Sequence, residues 1–190
     1  MYRLLRNTHL LLGLFFFTFV LMFGVSSVRF SHRDWFPANA IESQTVLDVP
    51  SATPWEPRTL AADLMQSNGL RGGLQQIRDT ADGFRFNITR IGTSHQIHYD
   101  RAKGQVRIET KVQPFMAMMN AMHQTFGMDH GYGWNNFWGF LMLLTTIALL
   151  LLSLTGIYLW FKMYKERLVG AVLLLVGLSY GVSLVVLMRM

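Results

Sequence analysis

Residues 123–167 read HQTFGMDHGYGWNNFWGFLMLLTTIALLLLSLTGIYLWFKMYKER, and the middle of this run, 137–161, carries no charged side chain. Coiled as a helix it exceeds the ~30 Å hydrocarbon thickness of a bilayer, so it can cross with some tilt. Trp134 and Trp138 stand at one end, Tyr158 and Trp160 at the other. Indole and phenol rings prefer the headgroup boundary, where the ring is apolar and the N–H or O–H stays wet. Lys162, Lys165 and Arg167 follow at once. A segment bearing His and Met enters one side of a membrane, and a basic loop leaves the other.

Two further apolar runs share this character. Residues 10–28 (LLLGLFFFTFVLMFGVSSV) follow the basic pair Arg3 and Arg6. A cleaved signal peptide has a similar design, but the length and aromatic content favour an uncleaved anchor. Residues 168–188 (LVGAVLLLVGLSYGVSLVVLM) come a few positions after the second span. Segments 136–190 are therefore expected to form an antiparallel transmembrane hairpin. Gly177 and Gly181 are four apart and share a face, where another helix backbone could approach closely. By the positive-inside rule, Arg3 and Arg6 place the N-terminus in the cytoplasm, and Lys162, Lys165 and Arg167 place the second loop there too. Residues 31–135 and the C-terminus then lie outside the cytoplasm.

The composition agrees. Hydrophobic residues make up 51% and charged residues 15%, a membrane-class balance. The net charge of +6 does not signal nucleic acid. From Arg29 to Asn135 there are 11 basic and 10 acidic residues; the excess is Arg3, Arg6, Lys162, Lys165, Arg167 and Arg189 against Glu166, all flanking apolar helices. With no cysteine, disulfides, thiolate metal sites, iron–sulfur clusters and thiol nucleophiles are excluded together. No phosphate loop or HExxH pattern occurs.

Between the first two spans the chain changes period. Residues 31–57 read as irregular, punctuated by Pro37, Pro50, Pro54 and Pro57. Leu60, Ala61, Leu64 and Met65 then share one helix face, ended by Asn68-Gly69. Residues 74–78 form a weak strand candidate. Phe84, Phe86 and Ile88 alternate with Arg85, Asn87 and Thr89, Ile97 and Tyr99 continue the alternation, and Val106 and Ile108 follow the turn 100–104. The expected result is an α+β membrane protein: a first transmembrane helix (1–30), an outer helix-plus-antiparallel-meander domain (31–113), a connecting membrane-surface helix and turn (114–135), and the hairpin (136–190).

Three pieces of the chain carry a family resemblance. Arg6-Asn7-Thr8-His9 with Gly13-Leu14 opens an anchor helix. Tyr99-Asp100-Arg101-Ala102-Lys103-Gly104-Gln105-Val106 forms a hairpin with a hydrophobic–Asp–Gly–polar–Val pattern. His123, with Gly127, Gly133 and Gly139, precedes Leu154-Thr155-Gly156-Ile157-Tyr158-Leu159-Trp160. In this order they resemble small PepSY-associated transmembrane proteins, and together they cover most of the chain. The resemblance implies a bacterial inner-membrane protein with a PepSY-like domain outside the cytoplasm. Isolated PepSY domains are associated with inhibiting peptidases or regulating neighbouring proteins. Larger relatives have four or more helices, and some are haem-bearing ferric-siderophore reductases; this chain is shorter than those.

Two chemistries are weighed on the residues themselves. A membrane b haem needs imidazoles on both faces of the ring. His9, His123 and His130 are the candidate ligands, although His9 has no histidine partner at its depth within one chain. Soft Cu(I) would suit Met119, Met122 and His123, although methionine equally fills irregular apolar contacts. His95 and His98 have opposite parity in a strand and make poor joint ligands. The reading that leads is an accessory or binding protein acting with a protein partner or a second copy through its transmembrane helices. A b-haem electron-transfer subunit is the alternative, and copper handling a weaker one.

Overall fold

The computed structural model describes residues 2–36, 39–50, 54–125 and 127–189. Long apolar runs without helix breakers become three helices long and apolar enough to cross a membrane: α1 (Tyr2–Ser31), α4 (Gly133–Phe161) and α5 (Arg167–Arg189). Between α1 and α4 in the chain come β1 (Ile41–Asp48), α2 (Pro57–Ser67), β2 (Gly73–Thr80), β3 (Gly83–Arg90), β4 (Thr93–Asp100), β5 (Gln105–Val112) and α3 (Phe115–Gln124). The chain divides into two compact units: Phe19–Leu144, and Met1–Thr18 with Thr145–Met190.

The larger unit is built on a five-stranded antiparallel sheet in the order β1-β5-β4-β3-β2. The meander expected from the alternating runs is β2 to β5. Period-two alternation sends Phe84, Phe86, Ile88, Ile97, Tyr99, Val106 and Ile108 to one face, all 4% exposed or less. Leu60, Ala61 and Leu64 of α2 complete that core. Pro57 starts α2 where its missing N–H is harmless. The Glu56 amide donates to Thr59 Oγ1 at 3.2 Å, and the Asn68 amide closes the helix on the Leu64 carbonyl at 3.1 Å.

Residues 31–57 are not all irregular, as the proline spacing had suggested. A 3-10 turn covers Arg33–Trp35, and β1 pairs with β5 over its full length, from Ile41↔Val112 to Asp48↔Gln105. Its sequence, IESQTVLD, hides the strand because it lies at the sheet edge. Only Leu47 and the following Val49 reach the core cluster, so no apolar alternation is needed.

In the smaller unit α5 has no buried residue. Near the start of α5 a Cβ at Gly170 would collide with the Trp160 indole. Nothing lies within 4 Å of a Cβ built at Gly177 or Gly181. Among the described residues, the chain itself supplies no helix for that face.

Candidate functional site

His9 lies in the smaller unit, where it is the only histidine. Its Nδ1 is 2.8 Å from Thr155 Oγ1. The Thr155 hydroxyl proton goes to the Leu151 carbonyl, 2.6 Å away, with Leu152 O at 3.2 Å. A hydroxyl has one proton, so its oxygen accepts here and His9 donates from Nδ1. The ring Cε1 lies 3.5 Å from a Cβ built at Gly156, and Leu152 lies 3.7 Å from one at Gly13. Basic–His–xxx–Gly on α1 and Thr–Gly on α4 thus form one seam of small and hydrogen-bonding residues. Lipid offers no hydrophobic drive between helices, so such a seam holds them. With the proton on Nδ1, His9 Nε2 carries the ring's lone pair.

His123 repeats the pattern in the larger unit. Its Nδ1 is 2.6 Å from Ser26 Oγ, and that hydroxyl also lies 3.0 Å from the Phe23 carbonyl. The ring lies between Phe23 and Phe30, with centroid separations of 4.6 and 5.8 Å. Trp138 Nε1 donates to the Met122 carbonyl at 2.8 Å and joins α3 to the start of α4. Met119 is buried, and Met118 packs over the Gly92 turn. Met122 thus meets α4 through its backbone. Among the described residues, no group of three or more His, Asp or Glu is gathered as a metal cage.

His130 serves differently. Its amide donates to Asn136 Oδ1 at 2.9 Å, and the Ile91 amide donates to Asn135 Oδ1 at 3.3 Å. These two bonds dock the entrance of α4 on the 127–131 turn and on the β3–β4 turn. Gly73 has no room for a side chain, because its Cβ would strike the His130 carbonyl. His130 Nε2 is buried without a partner among the described residues. Among the described residues no ring contact joins it to His123.

The open surface of the domain is the sheet face that α2 does not cover. It carries a shallow depression of about 560 Å³ lined by Glu42, Gln44, Gln96, Glu109 and Lys111 among others. Lys111 Nζ donates to Glu42 Oε1 at 2.8 Å and holds that carboxyl below the usual range. His95 points to the opposite, core side, 2.8 Å from Thr110 Oγ1; burial first, then Arg90, pushes its pKa down. His98 is on the open side, opposite Arg85 and Arg107. Desolvation, then Arg85 and Arg107, lower its pKa against the raising effect of Glu109. Arg78 joins them through an irregularity in β2. Strand parity alone marks Arg85, His98 and Arg107 as outward. Their alignment needs the register, and Arg78 cannot be placed without the irregularity.

Three candidate spans and a five-stranded antiparallel sheet define an α+β membrane protein. The family model for PepSY_TM-like proteins matches residues 1–190, and the chain belongs to that family. No curated protein and no solved structure gives a match.

Proposed function

We propose that this chain is a membrane-mounted binding module. Its apolar helices anchor a PepSY-like domain outside the bacterial cytoplasmic membrane, where the domain acts as a subunit or regulator of a larger membrane or exported protein. The observation that carries this is the asymmetry of the sheet. One face is filled by Leu60, Ala61 and Leu64 of α2. The other is polar, open and bordered by the edge strands β1 and β2. Edge backbone and a polar face are what a partner polypeptide can pair with. Arg3 and Arg6 before α1, and Lys162, Lys165 and Arg167 after α4, support the orientation. The uncovered Gly177–Gly181 face of α5 supports a helix contact with a partner or a second copy.

The test is site-specific photo-crosslinking in intact membranes. A photoreactive residue at Gln96, on the open face, should give a discrete adduct. One at Arg58, on the exposed side of α2, should not. If several open-face positions give no adduct and the solubilised chain is a lone monomer, the binding-module reading fails.

A second reading is a b-haem electron-transfer subunit. It draws on the Nδ1 contacts of His9 with Thr155 and of His123 with Ser26, which would fix each ring with Nε2 turned away from that contact. Bound haem would supply one-electron redox chemistry; His9 and His123 would hold it on this chain, and a partner would supply the remaining ligands. A reduced-minus-oxidised visible spectrum of protein from haem-replete cells tests it. A flat spectrum rejects it, as does a haem spectrum unchanged in both His9→Ala and His123→Ala.

A further inference from the structure

Four cationic or proton-accepting side chains line up across the open sheet face. The register pairs Arg78 with Arg85, Arg85 with His98, and His98 with Arg107, so one residue from each of β2, β3, β4 and β5 stands in a single cross-strand row. At about 5 Å per strand the row is on the order of 15 Å long. Like charges placed directly opposite destabilise a sheet. None of the three arginines has a salt bridge among the described residues, where the ion pairs are Lys103–Asp100 and Lys111–Glu42.

Nearby carboxylates do not cancel the row. Asp100 is committed to its own turn: it accepts from the Ala102 and Lys103 amides at 3.0 and 3.1 Å and from Lys103 Nζ at 3.2 Å. Asp48 accepts from Gln105 Nε2 at 3.0 Å. Glu109 and Asp82 border the row and offer two carboxylates against three guanidinium groups. A depression of about 290 Å³ lies over Arg85, His98 and Arg107, with Lys103 at its rim.

The irregularity in β2 is what admits Arg78. Gln75 pairs with Asn87 and Arg78 with Arg85, so Gln76 and Ile77 together oppose Phe86. Gln76 takes the left-handed conformation, φ 53°, which costs a non-glycine residue. Paired one-to-one with no residue removed, the same sequence would set Arg78 against Phe84 on the core side and Ile77 beside Arg85. The core gains nothing from the change, since Asp79 then opposes Phe84 instead. The gain is the fourth member of the row.

We propose that this row is a carboxylate-binding site, and that its occupant is an acidic segment of the partner polypeptide. The partner's class rests on the binding-module reading above. Guanidinium forks match carboxylates in charge and geometry. Next to the row lies a second one, Gln75, Asn87, Gln96 and Gln44, interrupted by Glu109. Carboxamides both donate and accept, as peptide groups do. A phosphate or sulfate surface offers acceptors alone and would leave those donor-seeking oxygens unused.

The experiment uses the full chain in nanodiscs of zwitterionic lipid and a fluorescent ten-residue peptide rich in Asp and Glu, read by anisotropy at low salt. The acidic peptide should bind, and its Asn/Gln counterpart should bind at least tenfold more weakly. Arg85→Glu with Arg107→Glu should weaken the acidic peptide at least tenfold. Arg58→Glu with Arg71→Glu, the same charge change off the row, should weaken it less than threefold. Equal binding of both peptides overturns the proposal, as does equal loss in both double variants. Stronger row-dependent binding of heparin or of anionic vesicles overturns the polypeptide assignment. The peptide comparison needs no variant, so misfolding of the charge reversals would not rescue a failed result. Crosslinking at Gln96 with no row-dependent peptide binding would remove this site and leave the binding module standing.

Discussion

His9 donates from Nδ1 to the Thr155 hydroxyl oxygen at 2.8 Å, and that hydroxyl donates its own hydrogen bond to the Leu151 carbonyl one turn back. The pair joins the family-like opening of α1 to the Thr-Gly near the end of α4. Thr155→Val keeps the shape and removes the acceptor. Interhelical hydrogen bonds in membranes contribute about 0.6 kcal/mol on average and up to about 1.7. Thr155→Val and His9→Phe should each destabilise by roughly that amount, and the double variant by less than their sum. Reversible unfolding in mixed micelles measures the cycle. Additive losses would mean the bond contributes nothing.

Two glycines in similar apolar helices should respond in opposite ways. A Cβ at Gly139 would strike the Gly127 carbonyl, whereas one at Gly177 meets nothing within 4 Å. Gly139→Ala must push the 127–131 turn off α4 and should cost ~1–3 kcal/mol. Gly177→Ala should leave the monomer as stable as before or slightly more so. If α5 packs on a partner through that face, Gly177→Ala with Gly181→Ala will reduce co-purification while monomer stability holds. Thermal unfolding alongside pull-down separates the two effects.

Much of this arrangement is legible in the sequence, and the gaps have physical causes. Uninterrupted apolar length gives the three spans, and alternation at Phe84, Phe86 and Ile88 gives a central strand. Strand β1 escapes because an edge strand buries almost nothing: Ile41 is 73% exposed. The ligand-like spacing of Met119, Met122 and His123 says nothing of Ser26, ninety-seven positions away in sequence, which holds the His123 ring. Histidines are visible in a sequence, but their hydrogen-bond partners are tertiary. The basic row escapes for a related reason, since it depends on a register that one extra residue in β2 shifts.

Histidine burial sets a pH dependence. His95 and His98 have pKa values below the ordinary 6.5 in the folded chain. The unfolded chain therefore binds protons first as pH falls, and stability rises with pH wherever the unfolded state holds more protons. Their contribution should be fully present above about pH 6.5 and should fall as pH drops from there toward the lowered values. His95→Gln with His98→Gln should flatten the melting temperature between pH 7.5 and 5.5. Asp100 has a lowered pKa from its Lys103 and Ala102 contacts. Its effect lies lower, present above the ordinary 3.8 and lost on further acidification.

The irregularity in β2 should resist removal for a reason unrelated to its backbone strain. Gln76 has a left-handed φ of 53°, so Gln76→Gly relieves a conformation glycine adopts freely while adding unfolded-chain entropy. The two terms are each about 1 kcal/mol and opposite in sign, so stability should change little. Deleting Ile77 instead leaves Gln76 alone opposite Phe86 and restores an even ladder, with Arg78 still opposite Arg85 and Asp79 still opposite Phe84. Gln76 then takes the core-facing position beside the buried Phe86. A carboxamide at the rim of an apolar core should cost ~1 kcal/mol or more. The deletion should therefore melt below Gln76→Gly. If both variants melt together at the wild-type temperature, the side chain facing Phe86 has no bearing on the fold.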